Sequence, residues 1–316
     1  IVVVLDDFHL IDIGPESPVP HLIASFLASA ELDHIHFVIA SRHVPSFSYS
    51  RLVLNGTVEG IGANDLAFTV DEVQEYLSLV AGQTVSELEA TRYHRETAGW
   101  PAGLVLLRAS SRGTLVTLSG PELVRQYLDE QVLPELTDDL REFSINCSAL
   151  DTISATLCDY CFGQRNSAEL LDQLDRRGLF IQRFQENELP GSYQFHALWK
   201  EHLAQHLPNE TRQMIKGRAG RFAVNHSEWT RALNYFCDAG DANELDGLLA
   251  DHGQELVNRG YANEIRRAVE AFHGNSFTTA ARLVYADCLM RASEGELAEA
   301  VLDSIALDDS NPDSVI

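Results

Sequence analysis

Lysine is almost absent from this chain: of its 316 residues, only Lys200 and Lys216 carry an ammonium side chain. Arginine raises the basic total to 23, against 47 acids, for a formal charge of −24. A duplex-DNA reader neutralises phosphates with clustered basic residues, so a chain this acidic is a poor DNA binder by itself. The acid excess is instead of the kind that keeps a large protein soluble. No apolar run reaches membrane-spanning length, and no basic segment followed by an apolar one opens the chain as a secretory leader would. Cysteine is scarce too. Cys147, Cys158, Cys161, Cys237 and Cys288 are odd in number and scattered through apolar segments, which suits reduced core thiols in a cytoplasmic protein. Cys158 and Cys161 are spaced C-x-x-C, but without a second ligand pair nearby a four-ligand zinc site is not expected. Finally, no G-x-x-x-x-G-K-[ST] occurs, so there is no glycine loop with a lysine to wrap nucleotide phosphates.

Hydrophobic residues make up 45% and charged residues 22%, an ordinary globular composition, and the length allows two or three domains. Ile1 to Leu5 is a continuous β-branched and apolar run, the pattern of a strand buried on both faces of a parallel sheet. A helix is expected over His21 to Leu32, a second buried strand over Phe37 to Ala40, and a third short strand near Val58 to Ile61. Since so few strands cannot make a stable parallel sheet, and Ile1 already lies in a strand-like run, the parent protein is expected to continue upstream.

Helices follow with clear punctuation. Thr69 and Glu72 form a T-x-x-E capping box ahead of Val73, Tyr76, Leu77 and Val80 at helical spacing, and Thr84 and Glu87 repeat the device. Gly99 stops that helix, and Pro101 opens the next, which runs through Leu104 and Leu107. Ser110 to Gly120 has the composition of a linker. Helices are then expected from near Pro121, Asp138 and Ser154, with Ser167 capping a helix over 168–177 that Gly178 ends. A strand over 179–184, a polar turn over 188–192, a returning strand over 193–195 and a closing helix over 199–207 complete the order of a winged helix. Its would-be recognition helix sets Arg176 and Arg177 against Glu169, Asp172 and Asp175, so a DNA-reading role does not follow. From Glu210 onward, Leu and small residues recur at helical spacing between glycine breaks, like tetratricopeptide helix pairs. Such arrays need several units and a cap, so the protein is expected to continue downstream.

The stretch VVVLDDFH, Val2 to His9, carries the chemistry. Four apolar strand residues ending in two carboxylates match a Walker B element, which delivers Asp6 to the sheet edge where ligands bind in open α/β folds. There Asp6 would hold Mg²⁺ on nucleotide phosphates and Asp7 would orient or deprotonate the attacking water. The alternative is a strand followed by an acidic turn. One strand-helix-strand step later, VIASRHVP places Arg42 at the edge of the neighbouring strand, where a guanidinium could sense a γ-phosphate. A surface arginine is the alternative. These segments, followed by NDLAFTVDEVQEYL, TAGWPAGLVLL and LLDQLDRRGLFIQRF…YQFHALWKEHL, form an ordered series covering nearly the whole chain. It resembles the maltose-regulon activator type, large LuxR-family ATP-dependent transcriptional regulators within the signal-transduction (STAND) class of P-loop ATPases.

That resemblance implies an α/β portion joined to a mostly α remainder. Residues 1–65 would be the C-terminal part of a P-loop NTPase domain, 66–118 a helical lid, 119–207 a winged helix and 208–316 tetratricopeptide-like repeats. Asp6 and Asp7 match the family's Walker B acids and Arg42 its sensor arginine. Gly99-Trp100-Pro101 matches the G-x-P element, in which Pro101 lies against adenine. His196 matches the winged-helix histidine that touches the ADP β-phosphate at rest, although an ordinary interfacial histidine would look the same. The implied ligands are ATP or ADP with Mg²⁺. The implied partners are a small-molecule inducer or regulatory protein on the helical repeats, other copies of the activated protein, and DNA through a C-terminal helix-turn-helix domain that this sequence lacks. The setting is cytoplasmic, with no membrane. Without the phosphate loop and the helix-turn-helix, the chain alone is expected neither to hydrolyse ATP nor to read an operator. Rival readings are a signalling ATPase of this class with another effector, and a helical-repeat interaction scaffold with an inactive ATPase.

Overall fold

The computed structural model describes residues 1–11, 18–27, 34–42, 44–45, 47, 50–109, 120–177, 180–183, 191–272 and 277–309. The chain is mostly helical and opens with a small parallel sheet. Strand β1 (Val2–Leu5) pairs in parallel with β2 (His36–Ile39), Val2 opposite His36 and Leu5 opposite Ile39, and helix α1 (Pro18–Leu27) lies between them in sequence. Leu5 and Ile39 pack with Phe8, Ile23 and Phe47, so the core sits on the α1 side. The other side is open. Val2, Val4 and Val38 are 63%, 64% and 52% exposed, so the strands expected to be buried on both faces are covered on one only. Expected helix residues 28–32 lie outside the described residues.

The expected third strand does not form, as residues 58–62 adopt neither helix nor strand. After α2 (Ser50–Leu54) the Thr57 and Val58 amides turn back to the Leu52 carbonyl at 2.8 and 3.3 Å, and Ile61 is 69% exposed. The short α3 (Ala63–Leu66) precedes α4 (Val70–Ala81), whose capping box is formed as predicted. The Glu72 amide donates to Thr69 Oγ1 at 3.3 Å, and the Thr69 amide donates to the Glu72 carboxylate at 2.8 Å. Helix α5 (Glu87–Thr97) starts differently: Ser86, not Thr84, is its cap, accepting from the Glu89 amide at 3.3 Å. Val85 is the reason. Its amide donates to Ser78 Oγ at 2.9 Å and its carbonyl accepts from Gln74 at 2.8 Å, which fastens this residue to α4 and delays the helix. Helix α6 (Pro101–Ala109) then packs with α4 and α5 around Val73, Leu77, Val85, Ala90 and Leu104.

Most of the predicted linker, 110–119, lies outside the described residues. Helix α7 (Gly120–Tyr127) runs into a π-helical turn, Leu128–Val132, and a 3-10 turn, Leu133–Glu135. Next come α8 (Asp138–Cys147), α9 (Ala155–Phe162) and α10 (Ser167–Arg176). Strands β3 (Ile181–Arg183) and β4 (Tyr193–Phe195) form an antiparallel hairpin with Ile181 opposite Phe195, and α11 (Ala197–His206) follows. Residues 178–179 and 184–190, including most of the predicted polar turn, lie outside the described residues. The remainder is helical: α12 (Asn209–Asn225), α13 (Trp229–Ala239), α14 (Ala242–Asn258), α15 (Ala262–Ala271), α16 (Thr279–Arg291) and α17 (Gly295–Asp309).

Two compact units result, 1–141 with 169–202, and 142–168 with 203–316. The second holds a stack in which α12 packs on α13, α13 on α14, α14 on α16 and α16 on α17. Glycine sets the spacing at two of these contacts. A Cβ on Gly220 would fall 2.3 Å from the Phe236 ring, and one on Gly253 would fall 2.8 Å from Val284. Among the described residues, no helix is long and apolar enough to cross a membrane.

Candidate functional site

Both groups of sequence-predicted site residues lie in the first unit. At the sheet edge, two hydrogen bonds knit the exits of the parallel strands together. The Ala40 amide donates to the Leu5 carbonyl and the Phe8 amide donates to the Ala40 carbonyl, both at 2.9 Å. Asp6 and Asp7 are held between these ties, and both side chains are exposed. The Asp7 amide donates to Asp6 Oδ1 at 2.9 Å, and the Asp7 backbone is left-handed at φ 50°, ψ 39°. Aspartate is among the few non-glycine residues that tolerate this region. The sharp turn then drops Phe8 into the core, where it is fully buried and meets Phe47 edge to face. Exposed carboxylate oxygens are hard donors of the kind Mg²⁺ takes directly or through water, so this pair fits that ion.

Arg42 leaves the adjoining strand two residues after Ala40. Its guanidinium is not free: Nη1 is ion-paired with Glu135 and lies 3.5 Å from the Gln131 carbonyl oxygen. No sequence pattern points to this partner. Glu135 lies 93 residues away, on the 3-10 turn that ends the α7 helical segment.

The second group surrounds Gly99-Trp100-Pro101. Gly99 is required twice over. Its φ is +75°, and a Cβ there would fall 2.2 Å from the Phe68 carbonyl oxygen; the Phe68 amide in turn donates to the Gly99 carbonyl at 2.9 Å. Pro101 occupies the first position of α6, where a missing N–H costs nothing. The Trp100 ring lies 5.7 Å from Tyr127 and 5.1 Å from Phe180, edge to face. Phe180, itself left-handed at φ 52°, also meets Trp199 at 5.7 Å and His196 at 6.3 Å.

His196 immediately follows β4. Its amide donates to the Phe180 carbonyl at 2.7 Å, and its Nδ1 accepts from the Leu198 amide at 3.2 Å. An accepting Nδ1 assigns the proton to Nε2, which is buried beside the Thr97 carbonyl without a well-formed hydrogen bond. Burial pushes the His196 pKa below its ordinary value, partly offset by the Thr97 carbonyl. His196 and the G-x-P element thus share one aromatic cluster, while Asp6, Asp7 and Arg42 share one sheet edge.

Residues 129–215 match the MalT winged helix domain family. Along 94% of its length the chain is 26% identical to the HTH-type transcriptional regulator MalT of Cronobacter sakazakii (strain ATCC BAA-894), and it spans 34% of that protein. The protein of the same name from Klebsiella pneumoniae (strain 342) is 23% identical over 94% of this chain and 34% of its own length. A solved signal-transduction ATPase with numerous domains and a tetratricopeptide repeat sensor, from Pyrococcus horikoshii, is 16% identical with a TM-score of 0.49. That comparison covers 96% of this chain and 43% of the other. The chain spans about a third of the curated relatives it matches. With a MalT winged-helix match over 129–215 and similarity along 94% of its length, the chain resembles the MalT-type regulators.

Proposed function

We propose that this chain is part of a cytoplasmic, nucleotide-gated transcriptional regulator and carries the metal-facing edge of its ATPase. Residues 1–65 would be the end of the P-loop sheet, 66–118 the lid, 119–207 the winged helix and 208–316 the tetratricopeptide-like sensor. Asp6 would hold Mg²⁺, Asp7 would orient the attacking water, and Arg42 would meet the γ-phosphate. Pro101 would lie against adenine, and His196 would donate to the ADP β-phosphate at rest. Bound Mg²⁺ would neutralise charge on the phosphate oxygens. An inducer or regulatory protein on the helical stack would favour ATP over ADP and self-association, a population shift between two states. DNA contact would fall to a separate helix-turn-helix domain.

The observation that carries this reading is the pair of parallel strands whose tied exits present two exposed carboxylates and an arginine in the family's order. The test is MgATP binding by the full-length natural protein and its Asp6→Asn variant. Loss of about tenfold or more in affinity, confined to magnesium-dependent binding, is expected for removal of a charged group that supports the ion. An unchanged magnesium dependence removes Asp6 from the role.

A further inference from the structure

Arg42 meets a turn whose carbonyls are served by arginines. The segment from Gln131 to Leu136 ends the α7 helical segment, where backbone carbonyls run short of helical partners, although the Leu133 carbonyl still accepts from the Leu136 amide at 3.2 Å. Arg141 donates to the Leu133 and Leu136 carbonyls at 3.2 and 3.1 Å, and Arg177 donates to the Glu135 carbonyl at 3.1 Å. These bonds fix the backbone that presents the Glu135 side chain, and that side chain takes Arg42. A second tie lies two residues on, where the Val44 amide donates to the Arg176 carbonyl at 2.9 Å. The exit of β2 is therefore fastened both to the Gln131–Leu136 turn and to the end of α10.

We propose that Glu135 holds Arg42 in reserve, so that its carboxylate and a nucleotide's terminal phosphate compete for the same guanidinium. This rests on the assignment of Arg42 to the γ-phosphate and adds the group that restrains it. A guanidinium presents the same fork of N–H donors to a carboxylate as to a phosphate, so one can stand in for the other. The Arg42 and Glu135 side chains are 45% and 46% exposed, which keeps the pair weak. A pair of that strength biases an arginine without sequestering it, and a multiply charged phosphate displaces it. Glu135 is thus a positioning residue, acting on nucleotide only through Arg42.

ATP and ADP titrations on the full-length natural protein and on its Glu135→Gln, Arg42→Ala and doubly substituted forms test this. Glu135→Gln should bind MgATP about threefold tighter, the scale set by an exposed ion pair, with ADP affinity unchanged. Arg42→Ala should bind MgATP about tenfold more weakly, and the double variant should match it. Glu135→Asp, which keeps the charge, should stay near the parent and guards against a folding effect of the Gln variant. If Arg42→Ala weakens MgATP but Glu135→Gln changes nothing, or shifts ATP and ADP equally, the restraint is wrong and the phosphate assignment stands. If Arg42→Ala leaves MgATP binding untouched, both fall.

Discussion

His196 sits where one buried atom decides between an ordinary core histidine and a phosphate contact. Its Nδ1 is used by the Leu198 amide, while its Nε2 is buried beside a carbonyl without good hydrogen-bond geometry. Burial lowers the folded-state pKa, so the unfolded chain takes up a proton first as pH falls. This group's share of stability is complete above the ordinary value of 6.5 and is lost as pH drops from there through the depressed folded value. His196→Gln should therefore flatten the fall in unfolding free energy, read from urea titrations between pH 7.5 and 5.5, by no more than about 1.4 kcal/mol per pH unit. The same fall in parent and variant contradicts a neutral buried imidazole. The family's motif order singled this residue out in the sequence, but its neighbours were not legible there. Trp100 and Phe180 lie 80 residues apart in sequence, and only folding sets their rings 5.1 Å from one another.

At the scale of elements, local rules succeeded wherever the cause was local. The Thr69–Glu72 box and the proline at 101 follow from neighbours within a few residues, as does the left-handed turn at Gly99, whereas the close approach of Phe68 to that glycine is set by folding. The cap of α5 did not, because Val85 is fastened to the preceding helix by contacts 7 and 11 residues away. Ser86→Ala should lower stability by about 1 kcal/mol, as loss of a serving N-cap does. Thr84→Ala, at an exposed position outside the cap, should change it by less than about 0.5 kcal/mol. Denaturant midpoints of the two variants check the ordering, and a larger loss at Thr84 would return the cap to the residue the sequence suggested. The missing third strand has the same kind of origin, since Thr57 and Val58 turn back on Leu52 before any pairing can begin.

Across the whole molecule, the mostly helical order and the winged helix could be read from punctuation and periodicity, whereas burial of the sheet could not. A run such as Ile1 to Leu5 states that a strand can be covered on two faces, not what covers it, and here Val2 and Val4 stay open. Glu135 was equally invisible, since an acid on a short turn carries no pattern that names a distant arginine. The charge of −24 spreads over both the residues of the parallel sheet and the helical stack, which leaves no long basic stretch to neutralise nucleic-acid phosphates. In the proposed function the edge shared by β1 and β2 faces a metal-bound nucleotide phosphate. Hydrogen exchange on the full-length natural protein, with MgATP and with ATP plus a chelator, reads that placement out. Slowed exchange over residues 2–11 and 36–44 with MgATP alone is the result predicted. Protection elsewhere, with those two segments unchanged, would contradict it.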